Sequence, residues 1–157
     1  MENETYLTFH LGEDYFAVNV KNVLEVLEQQ RITFVPKAPP HILGIINFRG
    51  QILPVIDTRF KFGIPGDDKD TKNSVIVYEL KGENEVTTIA ATADAVKDVI
   101  EISPDEIRPI PELGISYDTK YILGAIRREE AFVLVLEIEK VLAPGQKERI
   151  ILNEFIS

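Results

Sequence analysis

The chain has 157 residues and a formal charge of −9 at pH 7, with 26 acidic side chains against 17 basic ones. No surplus of Lys and Arg is available to neutralise phosphates, which excludes a nucleic-acid groove and favours a partner with a basic surface. The absence of cysteine excludes disulfides, thiolate metal ligands and thiol catalysis, while 45% hydrophobic and 27% charged residues fit a globular chain with a core.

In the opening segment Thr5, Leu7, Phe9 and Leu11 alternate with Tyr6, Thr8 and His10, and Phe16, Val18 and Val20 repeat the pattern after Gly12-Glu13-Asp14. Two strands with a turn between them are predicted. This start is acidic where a secretory signal is basic and then apolar, and no apolar run in the chain reaches the length of a membrane span. A cytoplasmic protein with no direct membrane insertion is expected. His10 and His41 are the only histidines, too few for a histidine-built metal or catalytic cluster. From Lys21 to Gln29 the period changes: Val20, Val23, Leu24 and Leu27 fall at i, i+3, i+4 and i+7, which predicts a short helix with Glu25 and Glu28 in water. Most of that stripe reads as core; the spacing of Val23 and Val26 leaves room for an exposed apolar ledge beside Glu25, which periodicity alone does not single out.

Pro36, Pro39 and Pro40 mark an irregular passage into the central stretch ILGIINFRGQILPVIDTRFKFG, residues 42–63. Its two β-branched runs flank Phe48-Arg49-Gly50-Gln51, and a hairpin is predicted. Gly50 supplies the positive φ of a two-residue turn, and Asn47 can fold its amide onto the turn backbone. Arg49 then points outward as a planar fork of donors, although a solvated turn residue is the simpler reading of the tetrapeptide alone. Pro54 requires an edge or a bulge in its strand. Asp57 is suited to cap backbone donors in Thr58-Arg59-Phe60. Residues 63–70 read as a solvated linker loop, since its acids lack the calcium-loop glycine and its glycines lack the phosphate-loop spacing.

The second half repeats the first. Val96-Lys97-Asp98-Val99-Ile100-Glu101 follows Val23-Leu24-Glu25-Val26-Leu27-Glu28 at an offset of 73, and Ile122-Leu123-Gly124 with Glu137 follows Ile42-Leu43-Gly44 with Asp57 at an offset of 80. The extra seven residues fall in 102–121, where Ser103-Pro104-Asp105-Glu106 reads as a capping box. Two similar β-lobes are implied, each small for an independent domain. At the second hairpin tip Glu129-Glu130 replaces Arg49-Gly50. Two readings fit that change: divergence toward a different partner, or a purely architectural second copy.

Gly44, Asn47, Arg49, Gly50, Pro54 and Asp57 in this spacing resemble the signature of the CheW-like family, adaptors that couple chemoreceptors to the histidine kinase CheA. The resemblance runs nearly end to end, from Leu7-Thr8-Phe9-His10-Leu11-Gly12 through Val23-Leu24-Glu25-Val26, Ile32 to Pro36 and Pro104-Asp105-Glu106-Ile107 to Ile138-Glu139-Lys140-Val141-Leu142. It implies a mainly β fold of two small five-stranded SH3-like barrels with short helices, packed around a shared seam, and no catalysis or cofactor. Approximate lobes are residues 15–80 and 81–145, the second completed by a strand from residues 5–12, with 146–157 as an apolar tail. The implied partners are the regulatory domain of CheA and the cytoplasmic tip of chemoreceptors.

By position, the resemblance places Gly44, Asn47, Arg49 and Gly50 in the functional hairpin and Val23 with Glu25 on the receptor-binding side, while exposed strand ends meet the kinase. Ala95 after Asp94, and Glu137 in place of the family's usual Asp, depart from the pattern, and no kinase-contact residues are assigned. A paralogous two-component pathway is the alternative setting. A small-ligand barrel or an enzyme would need convergent acids, a histidine dyad or a phosphate loop, and an oligonucleotide barrel would need interleaved basic and aromatic residues.

Overall fold

The computed structural model describes residues 2–63, 74–82, 84–110 and 121–142. The linker loop beyond Gly63 and the 146–157 tail lie outside them. Among the described residues ten strands form two five-stranded sheets. Strands β3 (Val23–Leu27), β4 (Ile42–Phe48), β5 (Gln51–Ile56), β6 (Ser74–Lys81) and β7 (Val86–Ala93) make a contiguous sheet in the order β3-β6-β7-β5-β4. Strands β1 (Glu4–Leu11) and β2 (Asp14–Asn19) join β8 (Ala95–Ile102), β9 (Ile122–Arg128) and β10 (Ala131–Leu136) in a composite sheet, order β8-β1-β2-β10-β9. Short helices α1 (Thr58–Phe62) and α2 (Ile138–Leu142) follow the two repeated hairpins.

The two orders are the same order. β8 stands where β3 does, β9 and β10 where β4 and β5 do, and the hairpin β1–β2 where β6–β7 does, with β10 parallel to β2 as β5 is to β7. The repeat is therefore complete, but its second copy is split, with its last hairpin at the start of the chain. The expected boundary is corrected accordingly: β2, counted in residues 15–80, pairs in the composite sheet, and β7, counted in 81–145, pairs in the contiguous one. The strand ladders do not close into barrels. Instead, past the outer strands β3 and β8, Thr33 exchanges two backbone hydrogen bonds with Ile45 of β4 (both 2.9 Å), and Arg108 does so with Ala125 of β9 (2.9 and 2.8 Å). Each sheet is curled so that its edges meet at one such bridge.

The predicted helix over 21–29 is absent. A 3₁₀ turn at Val20–Asn22 leads into β3, which pairs antiparallel with β6 and shifts register between Val23 and Glu25. A bulge adds one residue to the alternation. Val23 and Val26 thereby both pack against the core three positions apart, imitating helical spacing. Pro54 sits where β5 is paired with β4 alone, because pairing with β7 begins at Val55. Asp57 caps α1, its carboxylate accepting the Phe60 N–H, and the Ser103–Glu106 capping box forms as predicted.

Each sheet has a private core, Ile46, Leu53, Val75 and Val77 in one and Tyr6, Ile102, Ile126 and Val135 in the other. Between the sheets lies a shared seam contributed by both, including Phe9, Phe16 and Val141 from the composite sheet side and Phe62, Tyr78 and Ile89 from the contiguous one. Phe16 stacks on Phe62 across it with centroids 5.4 Å apart and ring planes at 4°, a pairing worth about 0.5–1.5 kcal/mol beyond its buried area. Tyr78 is fully buried there, and burial pushes its phenol up.

Gly44 and Gly124 occupy the points where the bridging segments touch the hairpins. A Cβ on Gly44 would lie 2.3 Å from the Thr33 carbonyl oxygen, and one on Gly124 2.6 Å from that of Arg108. Backbone blocks both places, so nothing can swing aside. Gly44→Ala is expected to cost about 2 kcal/mol or more, read as a lower urea midpoint at unchanged slope; wild-type stability would show that the edge bridge is dispensable.

Candidate partner-binding site

Sequence and turn chemistry build one tip first. With Phe48 paired to Gln51, the β4–β5 loop is the two residues Arg49 and Gly50, and both have positive φ, 53° and 82°. This is the type I′ pattern, whose twist suits a hairpin. The Gly50 N–H donates to Asn47 Oδ1 at 3.0 Å, which fixes the turn as predicted.

Arg49 differs from expectation in one respect: its fork is already engaged. Nη2 donates to Glu25 Oε1 at 3.1 Å, and the guanidinium carbon stands 4.7 Å from the centroid of the buried Phe48 ring. Glu25 and Arg49 come from β3 and from the tip beside β4, the two outer strands of the sheet. The ion pair therefore spans the curled edges above the Thr33–Ile45 bridge. Its side chains are 66% and 39% exposed, and a pair this open contributes about 0–1 kcal/mol to stability. A partner carboxylate or cation can displace either member at small cost.

Of the six residues singled out, Glu25, Asn47, Arg49 and Gly50 gather at this tip. Val23 and Gly44 do not form its surface: Val23 is half-buried against the seam and Gly44 is closed over by the Thr33 backbone. The exposed apolar residue of β3 is Leu24, not the Val23–Val26 ledge. Two further residues escaped the sequence reading. Ile52, half-exposed, faces Asn47 across the hairpin, and Phe34, 75% exposed, follows the bridging Thr33. The alternation of β5 could have flagged Ile52, but nothing local flags Phe34.

The composite sheet closes its edges with different chemistry. Arg128, the last residue of β9, donates through Nη2 to the Glu101 carbonyl of β8 at 2.9 Å and grips the Glu106 carboxylate through both terminal nitrogens. Glu106 Oε1 also accepts the Ser103 N–H at 2.9 Å. Hydrogen bonds from Arg128 and from Ser103 hold the Glu106 carboxyl below the usual carboxylate range. Beside this staple an apolar groove of about 520 Å³ runs along the outer face of β9–β10, lined by Arg108, Ile110, Ala125, Arg127, Phe132 and Leu134. Phe132 is 67% exposed. Among the described residues no cluster of three or more His, Asp or Glu side chains is gathered as a metal site would require, and no helix is long and apolar enough to cross a membrane.

A carboxylate whose folded pKa is depressed stabilises the fold above its unfolded pKa and loses that contribution as pH falls through the folded value. Stability at the Glu106 staple is expected to persist at neutral pH and to fade below its ordinary value of 4.5. In Arg128→Gln, melting temperatures taken across that acid range should fall less steeply from a lower starting point; identical profiles would remove Arg128 as the cause.

Comparison with known proteins agrees with this architecture. The profile of the family described as CheW-like domain matches residues 5–145. The chemotaxis protein CheW of Klebsiella aerogenes is 31% identical over 140 residues, covering 89% of this chain and 82% of the relative. Protein FrzA of Myxococcus xanthus is 27% identical over 150 residues, covering 94% and 90%. Among solved structures, the scaffolding protein TtCheW of Thermoanaerobacter tengcongensis superposes with a TM-score of 0.79 at 29% identity, covering 96% of this chain and 94% of that one.

Proposed function

This chain belongs to the CheW-like family, and on that premise we propose that it is a non-catalytic coupling adaptor of bacterial chemotaxis, holding a CheA-type histidine kinase to the cytoplasmic tip of chemoreceptors. The observation that carries the reading is the family match over residues 5–145, which takes in both sheets. The chain acts as one such domain in the cytoplasm and is recruited to receptor arrays through its partners.

Coupling needs two separate surfaces and a free energy transmitted between them. The Glu25–Arg49 tip with its apolar neighbours Leu24 and Ile52 suits the receptor: it offers an exchangeable ion pair beside exposed hydrocarbon. The groove with Phe132 lies on the other sheet and suits the kinase regulatory domain. The likeness to Protein FrzA favours a second reading, in which the same scaffold serves a paralogous two-component pathway.

Calorimetric titration with the isolated regulatory domain of the host's CheA-type kinase tests the first reading. Saturable one-to-one binding supports it, and no binding to a competent kinase domain turns attention to the paralogous pathway. Two variants then separate the surfaces. Arg49→Glu, which opposes like charges at the tip, should abolish receptor control of the kinase while sparing kinase binding; full coupling by the folded variant would sink the role of Arg49. Phe132→Ser, at an exposed position, should weaken kinase binding by about 1–3 kcal/mol with an unchanged melting temperature; unaltered affinity would clear the groove of that role.

A further inference from the structure

We propose that the chain carries two quasi-equivalent but unequal clamps where it crosses between its sheets, so that the angle between the sheets pivots at one and yields at the other. The chain crosses from β2 to β3 through Val20–Asn22 and returns from β7 to β8 at Asp94.

Both crossings are fastened to the same place in the repeat. The Asp94 backbone N–H donates to the His10 carbonyl of β1 at 2.9 Å. The Asn22 side-chain amide donates to the Glu79 carbonyl of β6 at 3.4 Å. His10 and Glu79 are equivalent, since each follows the residue that faces a repeat-related valine: Phe9 opposite Val96, Tyr78 opposite Val23. Each crossing is then gripped by the second residue of a short helix, Arg59 of α1 on Asp94 and Glu139 of α2 on Asn22. Arg59 and Glu139 are repeat partners, 80 residues apart, with opposite charge.

The grips differ in kind. Asp94 takes the Arg59 guanidinium at two points, Nε lying 3.2 Å from Oδ1, and its Oδ2 accepts the Gly12 N–H of the β1–β2 turn at 2.6 Å. It thus ties α1 beside the contiguous sheet to a turn of the composite sheet, with side chains only 19% and 22% exposed. Bidentate charge-assisted bonds of this sort are about twice as strong as neutral ones. Asn22, by contrast, is neutral, divides one amide nitrogen between the Glu79 carbonyl and Glu139 at 3.1 Å, and relies on an exposed carboxylate. The seam between the crossings keeps the sheets together, yet apolar packing tolerates small sliding. Directional contacts at the crossings then set the angle, firm at Asp94 and compliant at Asn22.

The hinge stands without the adaptor reading, and only its use rests on that reading: with partners on different sheets, the angle is the coordinate through which one senses the other. The absence of cysteine allows V86C and V99C, exposed positions on β7 and β8, to carry nitroxide labels in the full chain. Pulsed electron resonance should give one narrow distance distribution in the parent chain. Glu139→Ala should shift it with little change in melting temperature, and Arg59→Ala should broaden it more and lower the melting temperature. Distributions unchanged in both variants, or altered equally, overturn the proposal. Should Arg59→Ala fail to fold, Arg59→Lys, which keeps the charge and loses the fork, takes its place with the same expected order. In a second arm Glu139→Ala should bind the kinase domain normally but transmit receptor control less well. A parent chain that binds no kinase would sink the adaptor reading and leave the distance measurement intact.

Discussion

The rest of the structure depends on the lodging of β1–β2 between β8 and β10. A hairpin from the start of the chain supplies two of the three inner strands of the composite sheet, and its inward face, Phe9, Phe16 and Val18, supplies much of the shared seam. Neither sheet can then bury its apolar face without the other. Phe16 has its flat ring against Phe62 of α1, an element of the opposite half, so the aromatic contact holding the halves together is itself a product of the exchange. Because five strands are too few for a comfortable independent core, this interlocking turns two marginal units into one cooperative one.

The two copies solve one geometric problem with different chemistry, and magnitudes indicate which solution is free for other work. Both curled sheets fasten their edges with an arginine of a hairpin, Arg49 in its turn and Arg128 at the end of β9. Arg128 satisfies a carbonyl and a carboxylate that also caps a 3₁₀ turn, so removing it would disturb several groups at once. Among the described residues Arg49 has one charged partner, itself exposed, and rests on the Phe48 ring, an arrangement whose small net worth lets it be exchanged. The hairpin that gives up little by opening is the one whose sequence carries the family signature. In the other copy acids occupy the tip and the cation moves one residue back, into the scaffold.

What could be read from the chain was what short-range chemistry determines. Asn47 and Gly50 announced the turn, Asp57 and Ser103 their caps, and the offsets of 73 and 80 the duplication. What escaped depends on contacts between residues far apart. The bulge after Val23 disguised a strand as a helix because it is imposed by pairing with β6. Gly44 looked like part of a functional hairpin and Gly124 like its repeat, and only the approach of Thr33 and Arg108 reveals both as clearance for a bridge. The split hairpin was half-visible: a strand near residues 5–12 was expected to cross, but its partner β2 was left behind, since β1–β2 and β6–β7 resemble each other in position and hardly in sequence. Arg49 could be located but not its partner, since the curl that brings Glu25 to it leaves no periodic trace.

The split repeat also fixes an order of events on the ribosome. Residues 23–93 contain every strand of the contiguous sheet, so that sheet has all its partners once β7 has emerged. The hairpin β1–β2 is made first yet has no neighbour on either side until β8 and β10 are synthesised, more than 75 residues later. For that interval two open strand edges and an unburied row of aromatic side chains are on display, the condition under which nascent chains pair wrongly or recruit holding factors. Newly made chains crowded together can satisfy the waiting hairpin with a neighbour's β8 and β10, and the resulting strand-exchanged dimer would contain every native pairing.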